Sequence, residues 1–118
     1  MDLLFGVLLD KDAADMLGRL APRARRIVLT TPASERARPP EELAALLPDR
    51  AGVEIEPDPV RALDRLLAAT DPAGATLVAC GSIYLIGQVR RRLRERFGVP
   101  APATDPLWRL PASYIRGS

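Results

Sequence analysis

Short apolar runs alternate along the chain with stretches in which apolar residues recur at helical spacing. Continuous or alternating apolar runs of a few residues predict strands at 3–9, 27–30, 53–56 and 76–80. Helical spacing predicts helices over 13–20, over 40–47, from Pro59 onward, and over 83–97. Four strand–helix units in succession predict a Rossmann-like α/β fold, with a mostly parallel open sheet and helices on both faces.

Residues suited to helix starts precede each predicted helix. Asp12 is placed to cap the first predicted helix. Pro40 suits the first turn of the second predicted helix, where the negative charges of Glu41 and Glu42 interact favourably with the positive end of the helix dipole. Asp58 stands before Pro59, and the pair Gly81-Ser82 precedes the longest helix. These signals support the helix boundaries independently of the apolar spacing.

The two ends of the chain carry different expectations. A strand as apolar as 3–9 favours neighbours on both sides, so a missing upstream strand and helix is one interpretation, and a domain that begins on a strand is the other. Residues 98–118 contain four prolines, at positions 100, 102, 106 and 111, and are predicted to be an irregular tail whose Trp108 and Tyr114 could dock on the body. The predicted division is therefore an α/β domain over 1–97 and a tail over 98–118.

Composition narrows the chemistry. The chain has 118 residues, 47% hydrophobic and 4% aromatic, with a net charge of +2, which suits one domain without a strong field for nucleic acid or a membrane. The first apolar run is too short to span a membrane and lacks the features of a signal peptide. The single cysteine permits no internal disulfide. These observations favour a cytoplasmic protein. Having no histidine, the chain can build neither a Ser-His-Asp triad nor a Cys/His zinc site.

Three polar clusters follow predicted strands. Because ligands bind beyond the carboxyl ends of parallel strands, candidate site residues lie at Asp10-Lys11-Asp12, in the loop 31–38, and at Gly81-Ser82. Lys11 is the single lysine among 17 basic residues. Its triplet is open to two interpretations: a helix cap with solvated charges, or an ammonium, held by its flanking carboxylates, that meets a carboxylate or phosphate.

The other two clusters have equally plain alternatives. Ser34, Arg36 and Arg38 fit a surface loop, although arginines there could bind a carboxylate or phosphate. Ser82 fits a helix cap, and the free N–H groups beside it favour an anion. Tyr84 and Cys80 are expected to pack rather than react.

The densest basic run is RRRLRER, residues 90–96. At helical spacing Glu95 can pair with Arg91 or Arg92. No aromatic residues are interleaved with the arginines, so a nucleic-acid surface is the less favoured interpretation.

Taken together, GVLLDKD, TTPASERARPPEEL and CGSIYLIGQVR resemble, in order and spacing, the C-terminal domain of the bifunctional folylpolyglutamate synthase/dihydrofolate synthase family. That family reads G-V-x-x-D-K-D, T-x-P-x-S-x-R-A-x-P-x-E-E-L and T-G-S-L-Y-L-V-G-E-V-R. The resemblance covers residues 3–97, and Mur ligases share the domain architecture. The chain departs from the pattern at Thr31, where arginine is usual, and at Cys80, where threonine is usual; both departures argue against full native activity.

The resemblance implies an ATP-dependent amide ligase that activates a folate carboxylate as an acyl phosphate for attack by glutamate. It implies that Lys11 meets a glutamate carboxylate and that Ser82 lies in the same pocket. It further implies a substrate or nucleotide loop that includes Asp10, Asp12, Ser34, Arg36, Gly81 and Tyr84. ATP and Mg are expected in the complete enzyme and are not assigned to this chain alone.

The family's central ATPase domain, with its phosphate-binding loop and magnesium ligands, and the D-G-A-H-N strand end have no counterpart in this sequence. The expectation is therefore an N-terminally truncated ligase domain that does not ligate by itself. A free-standing, non-catalytic α/β binding or assembly module is the alternative.

Overall fold

The computed structural model describes residues 1–48, 50–69 and 76–98, together with the backbone of Ile115–Arg116. The strands are β1 (Asp2–Phe5), β2 (Arg26–Leu29), β3 (Val53–Ile55), β4 (Leu77–Cys80) and β5 (Ile115–Arg116). The helices are α1 (Ala13–Leu20), α2 (Pro40–Ala44), α3 (Pro59–Ala69) and α4 (Ile83–Phe97), and a 3₁₀ turn follows α1 at Ala21–Arg23.

The strands form one sheet in the order β3-β2-β1-β4-β5, and every neighbouring pair is parallel. β1 lies in the centre, where Leu3 is level with Ile27 of β2 and with Val78 of β4. The chain first builds outward from β1 to β3 and then crosses to the other side of β1 to make β4. The predicted parallel α/β fold is confirmed.

Alternation along the strands gives the sheet two apolar faces. One face packs against α1 and α2; its buried side chains include Leu3, Phe5, Leu17, Ile27, Leu29 and Leu43. The other packs against α3 and α4; its buried side chains include Leu4, Val28, Leu63, Leu66, Leu85 and Val89. Because successive strand residues point to opposite faces, both sides need a covering layer, and the helices supply it.

Side-chain caps set the starts of two helices as predicted. The Asp12 carboxylate accepts a hydrogen bond from Asp15 N at 3.0 Å, and the Ser82 hydroxyl accepts one from Tyr84 N at 3.2 Å. α4 ends at Gly98, whose φ of 66° is left-handed. The predicted bounds of α1 and α4 agree with the structure.

The prediction of a strand over residues 3–9 was wrong at its carboxyl end. β1 stops at Phe5, and Leu9 is 50% exposed. Beyond β1 the chain leaves the sheet and pairs with the loop after β2: Leu8 forms an antiparallel bridge with Ala37, and Leu9 N donates to Arg36 O at 2.8 Å. Apolar character alone did not reveal this change of partner. The second predicted helix is also shorter, since α2 ends at Ala44.

The apolar β1 is paired on both sides by β2 and β4 of this chain. The pairing of β1 therefore gives no evidence for a missing upstream strand and helix, which stays a prediction. The division at residue 98 also stays a prediction, and the docking of Trp108 and Tyr114 lies outside the described residues. Among the described helices, none combines the length and apolarity needed to cross a membrane.

Candidate functional site

The sheet has a switch point between β1 and β4, because the connections from β1 run toward β3 whereas β4 lies on the opposite side. In open α/β sheets such a point leaves a crevice outside the carboxyl ends of the strands, where ligands bind. A pocket of about 300 Å³ lies here, at the small end of the range typical of ligand sites. Its lining residues are Leu8, Asp10, Lys11, Ser82 and Ile83.

Lys11 lies in the turn between β1 and α1 and lines the pocket. Its side chain is half-buried, and within the described residues its ammonium forms no ion pair. The turn is closed by Lys11 N donating to Leu8 O at 3.2 Å and by Ala13 N donating to Lys11 O at 3.0 Å. The structure therefore places an uncompensated cation, on a short ordered turn, at the switch point.

The neighbouring carboxylates do not hold Lys11 by ion pairs, which corrects one expectation. Asp12 is used as the cap of α1. Asp10 is exposed and lines the pocket. Because neither carboxylate neutralises Lys11 by a direct contact, its charge is available to an anionic ligand.

Gly81 and Ser82 bring the start of α4 against the end of β1. Gly81 has a φ of 121°, and a Cβ there would collide with Gly6 O and lie 2.8 Å from Val7 Cγ1. Ser82 is 2% exposed and caps α4. The positive end of a 15-residue helix therefore faces the same pocket as Lys11.

The loop after β2 contributes to the surroundings of the pocket rather than to its lining. The Ser34 hydroxyl accepts a hydrogen bond from Arg36 N at 3.1 Å and so closes a local turn. Arg36 is exposed, and neither residue is among those that line the pocket. The structure thus brings Lys11, Asp10 and Ser82 together in the pocket lining, which does not include Ser34 or Arg36.

Arg38, which the sequence offered as a ligand-binding arginine, is instead engaged with the protein. Its Nη2 donates to Leu9 O at 2.9 Å and to Lys11 O at 3.4 Å, and its Nη1 lies 3.4 Å from Glu42 Oε2. From α4, the Gln88 side-chain oxygen accepts a hydrogen bond from Ala33 N at 3.0 Å. Sequence reasoning gave neither residue this role, because both partners are backbone groups that no side-chain pattern marks.

Two residues near the start of α4 are more exposed than their apolar character suggests. Ile83 is 68% exposed while lining the pocket, and Tyr84 is 51% exposed, contrary to the expectation that it packs. Cys80 is buried, as expected. The lining roles of Leu8 and Ile83 had no signal in the sequence, since an apolar run and a helix stripe both predict burial.

A cluster of ion pairs joins α3 and α4 outside the pocket lining. Arg92 donates to Asp64 through Nε at 3.1 Å and Nη2 at 2.8 Å, and Arg96 Nη1 adds a bond to Asp64 at 3.3 Å. Arg92 also lies 3.6 Å from Glu95, which confirms that predicted pair. The hydrogen bonds from Arg92 hold the pKa of the Asp64 carboxyl below its ordinary value against the opposing effect of burial, and the charges of Arg92 and Arg96 add to this.

In the part of the chain that the structure describes, no three His, Cys, Asp or Glu side chains gather in a way that could hold a metal ion. Beside the exposed carboxylate of Asp10, the pocket offers one ammonium, one buried hydroxyl and a helix amino terminus. These groups fit a single carboxylate or phosphate. They do not fit a magnesium ion.

The chain is similar in structure to Mycobacterium tuberculosis folylpolyglutamate synthase, solved in complexes with ADP and AMPPCP. The TM-score is 0.61 and the identity 26%, over 85% of this chain. The match spans 24% of that protein's length. No family model matches the sequence. No curated protein matches it either. The structural match shows a folylpolyglutamate-synthase-like α/β fold and supports a relation to that ligase family.

Proposed function

We propose that this chain is the glutamate- and nucleotide-binding portion of an ATP-dependent folate:glutamate amide ligase. One observation carries the proposal: Lys11 and Ser82 share a pocket at the switch point of a folylpolyglutamate-synthase-like fold. The similar M. tuberculosis enzyme was solved with nucleotides, which supports ATP as a substrate of the complete ligase.

In this proposal the Lys11 ammonium pairs with a carboxylate of the incoming glutamate. Ser82 and the amino terminus of α4 support the same negative charge from the opposite side of the pocket. Gly81 permits the close approach of these two parts. Asp10, Asp12, Ser34, Arg36 and Tyr84 belong to the loops and the helix start around the pocket, as the motif resemblance implies.

ATP and Mg are assigned to the complete ligase, in which this chain would contribute part of the nucleotide site, and not to this chain by itself. The pocket groups suit one anionic group, whereas a triphosphate needs several donors and a metal needs several oxygen ligands. The domain that supplies them would also bind the folate substrate and activate its carboxylate. Folylpolyglutamate and dihydrofolate synthesis both use this chemistry, and the proposal covers either.

The first test is a ligation assay on the purified 118-residue chain with ATP, Mg, glutamate and a reduced folate. We expect no ATP- and glutamate-dependent product, because the chain carries no phosphate-binding loop of the G-x-x-x-x-G-K-[ST] type. Detectable ligation would contradict the assignment of catalysis to a separate ATPase domain.

The second test is a chimera in which this chain replaces the matching quarter of the M. tuberculosis enzyme. Lys11→Ala in the chimera should raise the KM for glutamate roughly tenfold or more, the value of one charge-assisted contact. The KM for ATP should stay near its original value. Equal losses for both substrates would mean that Lys11 only supports the fold.

A non-catalytic α/β assembly module remains the second candidate, and the exposed edge of the sheet favours it. β3 is a terminal strand of the sheet order, and its Ile55 is 38% exposed. An unpaired edge is a template for pairing with another chain. A stable oligomer that buries β3, together with absence of glutamate binding, would select this function.

A further inference from the structure

Arg38 connects the two loops that border the pocket. Its backbone N donates to Val7 O at 2.8 Å, while its side chain crosses to the turn that carries Lys11. There a single Nη2 donates to the carbonyl oxygens of Leu9 and Lys11, at 2.9 and 3.4 Å. The guanidinium therefore holds the Lys11 turn from outside, by its backbone.

Glu42 fixes the orientation of that guanidinium. This carboxylate lies in the first turn of α2 and reaches Arg38 Nη1 at 3.4 Å. The Arg38 side chain is 26% exposed, and its buried Nε has no hydrogen-bond partner in the described part of the chain. A buried donor without a partner is unfavourable. The position of the side chain therefore satisfies the hydrogen bonds of the two Nη atoms at the expense of a hydrogen bond at Nε.

A second contact closes the frame around the pocket. Gln88 of α4 accepts a hydrogen bond from Ala33 N, in the loop that also carries Arg38. The turn with Lys11 is thus tied to the loop after β2, and that loop is tied to the helix capped by Ser82. These side-chain-to-backbone bonds add to the pairing of β1 with β4, which also sets the relative positions of Lys11 and Ser82.

We infer that Arg38 is a positioning residue for glutamate recognition, acting through Lys11 and not by contact with the ligand. The inference rests on the proposed function. A lysine side chain is flexible and loses rotamer freedom when it binds. If the backbone of Lys11 is already fixed before the ligand arrives, less conformational entropy is lost on binding, and the affinity is higher.

The test is an NMR titration of L-glutamate into the 118-residue chain and its variants. Arg38→Met removes the donors at similar length, and Arg38→Lys keeps the charge with a single donor group. Arg19→Met is the matched control, because Arg19 also carries one positive charge and pairs with an acidic residue, Asp15, but is 80% exposed on α1. We expect Arg38→Met to weaken binding about tenfold, Arg38→Lys to recover part of that loss, and Arg19→Met to stay within about twofold of wild type.

A double-mutant cycle separates positioning from general stability. If Arg38 acts through Lys11, adding Arg38→Met to Lys11→Gln should weaken binding no further. Additive losses, or an Arg38→Met variant that binds like wild type, would overturn the inference.

Amide hydrogen exchange decides the matter without a ligand. Arg38→Met should speed exchange at the Lys11 and Ala13 amides, which close the turn, and leave the amides of β1 unchanged. If wild-type protein binds no glutamate, the proposed function fails, and these amides still test the positioning. Unchanged exchange at Lys11 and Ala13 would overturn it.

Discussion

Gly81 determines how closely α4 can approach the end of β1. Its φ of 121° and the nearby Gly6 carbonyl exclude a side chain for two separate reasons, conformation and space. Lys11 contributes differently, because its role depends on its positive charge. Within the described residues no carboxylate forms an ion pair with that charge. At the residue scale, the site therefore depends on the absence of a side chain at Gly81 and on the long charged side chain of Lys11.

Gly81→Ala should lower stability by about 1–3 kcal/mol, the cost of forcing a side chain into a disfavoured backbone region. The collision of the new Cβ with Gly6 O should also displace the chain at the end of β1. Glutamate should therefore bind more weakly as well. Thermal and chemical unfolding measure the first effect, and ligand titration measures the second.

Gly87→Ala is the control for that substitution. Gly87 lies inside α4, and a Cβ there would meet nothing within 4 Å. Because alanine is the better helix former, the variant should gain about 0.5–1 kcal/mol. A Gly81→Ala variant as stable as wild type would contradict the close approach of α4 and β1.

The sequence predicted Lys11, Asp10 and Ser82 as neighbours because they follow strands whose carboxyl ends share one edge. It did not predict the role of Arg38, because the guanidinium binds carbonyl oxygens of a turn, and every residue has a carbonyl. It also did not predict the exposure of Ile83, because exposure depends on what lies beyond the helix start. Side-chain chemistry is visible in a sequence, whereas backbone partners appear only once the chain is folded.

The elements whose bounds were predicted well are those with side-chain caps. Asp12 and Ser82 mark the starts of α1 and α4 in the sequence as they do in the structure. The end of β1 has no such marker, since Val7 is fully buried in the same core cluster as Leu3 and Phe5 although it lies beyond the strand. Burial is thus a poor guide to where a strand ends.

α3 and α4 are joined by the pairing of Asp64 with Arg92 and Arg96. Asp64→Asn should lower stability at neutral pH by about 0.5–1 kcal/mol, as for a partly exposed ion pair. Because the folded-state pKa of Asp64 is lowered, the pair stabilises the protein above the ordinary carboxyl pKa of 3.8 and loses this effect as the pH falls through the lower folded value.

The measurement is urea unfolding of wild type and Asp64→Asn between pH 7 and pH 3. The stability difference should be constant at the upper end and shrink below about pH 4. Arg61→Ala is a suitable control, since Arg61 is 77% exposed and, within the described part of the chain, forms an ion pair with Asp58 alone. A difference that grows with acid would contradict the lowered pKa of Asp64.

For the whole molecule, the order of the strands places the pocket and the free edge at different locations. The pocket lies between β1 and β4, whereas β3 is one of the two terminal strands of the sheet order, the other being β5. The β3 edge carries charged pairs, in which Glu54 contacts Arg26 at 2.8 Å and Arg65 at 3.3 Å. Charges on an edge strand oppose pairing with another chain, and this weighs against the assembly module that the exposure of β3 by itself would favour.

We therefore expect the chain to be monomeric at micromolar concentration, as measured by analytical ultracentrifugation. Glu54→Val combined with Arg26→Val removes charge from this edge and should promote self-association. A wild-type dimer whose β3 amides are protected from exchange would instead favour the assembly module.

The central claim is that the pocket at the switch point binds glutamate through Lys11. The most direct measurement is an NMR titration of L-glutamate into wild type and Lys11→Ala. We predict saturable shifts centred on the amides of Lys11, Ser82 and Ile83 in wild type, and their loss in Lys11→Ala with the fold intact. Equal shifts in both proteins, or shifts confined to residues away from this pocket, would contradict the claim.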